Sequence, residues 1–205
     1  MAEAKSIVAD GRGWTREDRR SFYDSLTVDQ LLARLGNWSP VVRERVAEAL
    51  ARRKDDVMGR LIAMLDAKDA YTRDGACRAI QMQKDRGAPA VPALLKVFRG
   101  DDLWLRILAA EALAGIGEPA RSVAPEMLER LARGGDPAKD PRNMEQRYLS
   151  FALFDKGSGL LSKSLKGVDR DLLAKAVRAG LKNDDGRARS SFRSVYDNLT
   201  FEEIK

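Results

Sequence analysis

Asp102-Leu103-Trp104-Leu105-Arg106, continuing to Ala109-Ala110-Glu111-Ala112-Leu113-Ala114-Gly115-Ile116-Gly117, is the stretch on which the fold turns. Its apolar residues recur at intervals of three and four, the spacing of one helix face. Asp102 stands where a side-chain oxygen caps a helix start, and Gly115 and Gly117 stand where a helix ends. Leu94 and Leu95 lie twelve and eleven residues before Arg106, and Phe98 lies eight before it. A first amphipathic helix therefore precedes this one across a tight turn.

The same unit occurs twice upstream, around Arg43 and Arg73. Leu31-Leu32 and Leu61-Ile62 take the places of Leu94-Leu95, and Leu35 and Leu65 take that of Phe98. Three and four residues after each arginine come Val46-Ala47, Ala76-Cys77 and Ala109-Ala110, and seven after come Leu50, Ile80 and Leu113. Small residues at those places let stacked helices approach closely. Cys77 occupies one of the small slots, so it reads as a core residue rather than a reactive thiol. Ser39, Asp69 and Asp102 precede the arginines by four, where each is expected to cap the second helix and to meet an arginine of its own or a neighbouring repeat. Pro89, Pro92, Pro119 and Pro125, with Gly87, Gly115 and Gly117, punctuate the helix ends.

Downstream the unit loosens. Met127, Leu128 and Leu131 begin a fourth copy, but its arginine, Arg147, arrives eight residues late, after the Gly- and Pro-rich loop 134–141. Val177, Leu181, Asp185, Arg189, Phe192 and Tyr196 trace a fifth. The ends match each other. Arg20-Ser21-Phe22-Tyr23-Asp24-Ser25-Leu26-Thr27 and Arg193-Ser194-Val195-Tyr196-Asp197-Asn198-Leu199-Thr200 share six of eight residues at an offset of 173, about 34.6 residues per step over five steps. Thr27-Val28-Asp29-Gln30 forms a capping box, and Thr200-Phe201-Glu202-Glu203 is expected to open a helix of the same kind.

These units resemble HEAT repeats, specifically the short PBS-lyase-type HEAT-like repeat with its Asp, three intervening residues, Arg, then Ala-Ala and Leu. The resemblance is strongest over residues 27–132. It implies an all-α fold, an α-solenoid of antiparallel helical hairpins wound into a superhelix, and it implies no reaction. The expected organisation is one domain over 1–205 with about five hairpins. Half-repeats are expected at 15–25 and 200–205, as in a segment excised from a longer array.

Composition narrows the chemistry. The 205 residues are 44% hydrophobic and 33% charged, with a formal charge of +6 and no histidine. A Ser-His or Cys-His nucleophilic site is thereby excluded within this chain. The single cysteine cannot close an internal disulfide or supply a zinc set, and no stretch has calcium-loop spacing, so neither a metal nor a cofactor site is expected. No apolar run suggests a signal peptide or membrane span, which points to a cytoplasmic protein.

If the second helices line the concave face, its solvent positions fall two, five and nine residues after each arginine. There Arg45, Glu48 and Arg52 are followed by Gly75, Arg78 and Met82, then by Leu108, Glu111 and Gly115, so no continuous basic stripe arises to follow a phosphate backbone. Basic clusters at Arg12, Arg16, Arg19 and Arg20 and at Arg52, Arg53 and Lys54 read as solvated helix surfaces and helix C-termini, with phosphate binding as the alternative. A denser run, Lys163, Lys166, Arg170, Lys175 and Arg178, is a candidate anion patch. Trp38, Tyr71 and Trp104 fall at turns or helix starts rather than in core slots, which makes them, with Arg45 and Arg78, candidates for contacting a protein partner. The leading expectation is a non-catalytic scaffold for protein–protein interaction. Its alternatives are a nucleic-acid-binding protein of the HEAT-like alkylpurine DNA glycosylase type, to which no residue is carried over, and a structural spacer in a larger protein.

Overall fold

A computed structural model describes residues 13–203, with side chains as far as residue 197. Arg12 of the first basic cluster and Ile204 and Lys205 of the C-terminal half-repeat lie outside the described residues. The chain forms α1 (Arg16–Ser25), α2 (Val28–Arg34), α3 (Pro40–Arg52), α4 (Met58–Met64), α5 (Ala70–Gln83), α6 (Val91–Phe98), α7 (Leu103–Ile116), α8 (Ala124–Arg133), α9 (Met144–Phe154), α10 (Arg170–Gly180) and α11 (Gly186–Glu203). Short 3-10 segments at Lys84–Ala90 and Glu118–Val123 lead into α6 and α8. Among the described residues there is no strand.

From α2 onward the helices pair as hairpins: α2 with α3, α4 with α5, α6 with α7, α8 with α9, and α10 with α11. The second helices stack in chain order, each of α3, α5, α7, α9 and α11 against the one before it, and α1 packs on α3 as a second helix would. This is the all-α solenoid that the repeats imply.

The repeat positions explain the stacking. Leu31, Leu61 and Leu94 are fully buried, as are Val46-Ala47, Ala76-Cys77 and Ala109-Ala110. Each buried aliphatic of this size contributes about 1.5–3 kcal/mol, against the entropy of ordering a seven- or eight-residue helix that could not stand alone. Gly75 shows how close the helices come. A Cβ there would lie 2.1 Å from the Leu35 carbonyl oxygen, so α5 can rest on the end of α2 only without a side chain.

Local signals place the helix ends. Thr15 and Asp18 form a capping box at α1, and Thr27 and Gln30 form one at α2. Asp69 and Asp102 cap α5 and α7 through the Thr72 and Leu105 amides, at 2.7 and 3.0 Å. Ser39 does not cap α3: Pro40 opens that helix, and the Asn37 side chain accepts the Ser39 amide instead. Pro92 and Pro125 occupy the first turns of α6 and α8, where a missing N–H costs nothing. Thr200 starts no new helix, contrary to the sequence reading, because α11 runs unbroken from Gly186 to Glu203. The capping box is a local preference, and Asp197–Thr200 holds neither glycine nor proline to interrupt the helix already under way.

Candidate functional site

The repeat arginine, Arg73 apart, turns out to be a staple within or between hairpins. Arg43 Nη1 donates to the Asn37 and Trp38 carbonyls at 2.6 and 3.0 Å, while its Nε and Nη2 grip both oxygens of Asp74 on α5 at 3.0 and 3.1 Å. Arg106 repeats the arrangement. Its Nη1 donates to the Gly100 and Asp101 carbonyls at 3.2 and 2.7 Å, and its Nε and Nη2 hold Glu145 of α9 at 2.7 and 3.3 Å. Arg147 reaches Asp185 of the next hairpin at 3.1 Å, and Arg189 donates to the Asn183 carbonyl at 2.6 Å. Arg43, Arg106 and Arg189 fix their own turns, and Arg43, Arg106 and Arg147 hold a carboxylate of the following repeat. The carboxylates are Asp74, Glu145 and Asp185. Of the three turn residues expected to meet an arginine, Asp69 and Asp102 spend their side chains on caps instead.

Arg73 is the exception. Its Nε, like that of Arg147, is buried without an acceptor, and no ion pair holds its guanidinium among the described residues. Asp74, which serves Arg43, stands one residue after Arg73; one residue after Arg106 stands Ile107, which has no charge to offer.

Outside these staples lies a row of exposed apolar side chains. Val41, Tyr71 and Trp104 stand two residues before Arg43, Arg73 and Arg106, in the first turns of α3, α5 and α7, and are 59%, 49% and 54% exposed. Trp38, 69% exposed, extends the row at the first turn. Tyr71 lies over the Arg43 guanidinium, 5.2 Å from its ring centroid. Trp104 meets Tyr148 edge to face at 6.4 Å, and Tyr148 in turn lies beside Arg147 and Phe151. Single exposed apolar residues are ordinary, but three in one register on consecutive hairpins make a continuous edge. Sequence reading picks out the aromatics and passes over Val41, whose signal is its register rather than its type.

Arg45 and Arg78 do not join this row. Arg45 pairs with Glu48 at 3.0 Å on the side facing α1, and Arg78 holds Asp74 at 2.6 Å. The second position after the arginine is not a solvent row either: Gly75, Leu108 and Leu149 there are buried by the adjoining repeat. The anion patch is gathered only in part. Lys163, Lys166 and Arg170, with Ser164 and Gly167, surround a cavity of about 420 Å³. Lys175 and Arg178 stand exposed on α10, outside that lining. Arg121 holds the loop in place by donating to the carbonyls of Leu160, Ser164 and Lys166.

Cys77 is fully buried, and burial pushes its thiol up to about 12, far from the thiolate that reactivity needs. Among the described residues no group of histidine, cysteine or carboxylate side chains could hold a metal ion. No helix among them is long and apolar enough to cross a membrane.

Residues 28–114, from α2 into α7, match the family model for HEAT repeats. Repeats of this kind generally serve as protein-interaction scaffolds and are typically non-catalytic. Comparison with the curated proteins and with the solved structures gives no match.

Proposed function

We propose that this chain, built on HEAT repeats, is a non-catalytic scaffold that docks a protein partner along the turn edge formed by Trp38, Val41, Tyr71 and Trp104. The observation that carries the reading is the shared register of three exposed apolar residues on three consecutive hairpins. Rigid rings on a rigid edge make good anchors, because burying them costs little side-chain entropy. The stapling arginines beneath hold the turns that present them. An apolar side chain in the partner suits that edge.

Selection of displayed random peptides on the full chain tests this. Peptides that bind are expected to lose at least roughly tenfold in affinity to a Tyr71→Ala/Trp104→Ala variant, the scale of a single interface anchor. That variant should melt close to the parent, since both side chains are half exposed. Selected peptides that bind the variant and the parent alike would refute the assignment.

A further inference from the structure

We propose that the cleft between α1 and α3 is a binding site for a compact, multiply charged oxyanion of the phosphate class. Two basic clusters far apart in sequence meet there once α1 stacks on α3. Arg16, Arg19 and Arg20 come from α1, Arg45 and Arg52 from α3, and together they line a cavity of about 770 Å³. Only Glu17 and Glu48 oppose them in the lining, a balance of five positive charges against two negative. The volume falls within the 300–1,000 Å³ or so usual for small-molecule sites.

The charge is cancelled only in part within the chain. Asp24 serves Arg20 and Arg52 together, at 3.5 and 2.6 Å, and Glu48 serves Arg45. Arg19 donates to the Trp14 carbonyl, and the neighbouring Asp18 carboxylate offsets part of its charge. Arg16 has no ion-pair partner among the described residues. Tyr23, 3% exposed, walls the cleft, and burial raises its phenol so that it stays protonated and uncharged at neutral pH. Guanidinium groups crowded around one cavity repel one another. A group with several oxygens and more than one charge relieves several at once and matches the fork of the guanidinium bidentately. The cleft shares no lining residue with the aromatic edge, so this inference stands apart from the proposed docking function.

Calorimetric titration of the full chain with inorganic pyrophosphate, at about 50 and 200 mM salt, tests the site. One saturable site is expected at the lower salt, weakened at the higher. Arg16→Gln/Arg19→Gln, two exposed positions, is expected to weaken it by roughly tenfold or more, while Lys163→Gln/Lys166→Gln leaves it unchanged. A parallel titration with single-stranded oligothymidylate separates the sources: tighter binding of the oligonucleotide through the same arginines assigns the site to a phosphodiester backbone, and tighter pyrophosphate to a free diphosphate group. Absence of pyrophosphate binding at the lower salt overturns the proposal. So does equal binding by the Arg16/Arg19 variant, or equal loss in the Lys163/Lys166 variant, which would mark mere diffuse attraction.

Discussion

Replacing Glu145 by alanine removes one carboxylate and strands two arginines. Glu145 has a side chain only 7% exposed and accepts from Arg106 at 2.7 Å and Arg130 at 2.6 Å. Arg106 is itself 10% exposed at its side chain, so its charge would be left in a site with little water. Removing one partner of a buried pair costs about 3–5 kcal/mol. The lower end is expected, about 3 kcal/mol, because Arg106 keeps the Gly100 and Asp101 carbonyls and Arg130, 27% exposed, can turn to solvent. For a chain of this length each kcal/mol moves the melting temperature by roughly 2–4 °C, so the loss should read as about 6–12 °C by calorimetry or circular dichroism. Glu145→Gln keeps an acceptor and should fall between. Glu126→Ala is the control, since Arg99 and Glu126 make an equally short bond at 2.7 Å while their side chains are 61% and 30% exposed, and such pairs contribute little. If Glu145→Ala melts no lower than Glu126→Ala, the view of the repeat arginine as a buried inter-repeat staple is wrong.

Other outcomes follow from the packing and the titrating groups. Gly75→Ala should destabilise by about 1–3 kcal/mol despite the better helix propensity of alanine, because its Cβ has only the Leu35 backbone to push against; urea denaturation would show it, and a more stable variant would contradict it. Cys77 should resist maleimide labelling in the native chain and react only after denaturation; fast native labelling would mean that α5 opens. The Thr72 hydroxyl, chiefly, holds the Asp69 carboxyl below its ordinary value, and the Ala188 amide does the same for Asp185. Both therefore stabilise the fold above the unfolded carboxylate pKa of about 3.9 and lose that contribution as pH falls through their lower folded values. An Asp69→Ala variant should show a flatter fall in melting temperature below pH 4 than the parent. Glu111 works in the opposite sense, since burial raises its carboxyl and imposes a cost that appears as pH climbs past the unfolded value. Glu111→Gln should accordingly melt higher than the parent at pH 7 and lose that advantage near pH 4.

Periodicity in the amino-acid sequence was enough to establish the helical hairpins, their stacking order and the core slots, because a helix must bury one face and the repeats place the same apolar types on it each time. The slots of Leu31, Leu61 and Leu94 and the small pairs after each arginine could be read without coordinates, since an apolar or small residue repeated at helical spacing marks the face a helix must bury. The role of the arginines could not be read in the same way. Asp74 and Glu145 lie 31 and 39 residues from the guanidinium groups they bind, and only the stacking of α5 on α3 and of α9 on α7 sets those distances. The cleft between α1 and α3 arises likewise: Arg16–Arg20 and Arg45–Arg52 look like two solvated helix faces until the helices are laid together. The exposed edge sits between these cases. Sequence reading marks Trp38, Tyr71 and Trp104 as lying outside the core, but that Val41 continues them, and that Arg45 and Arg78 turn away to their own carboxylates, is decided by tertiary structure, because long-range packing alone determines which charges meet.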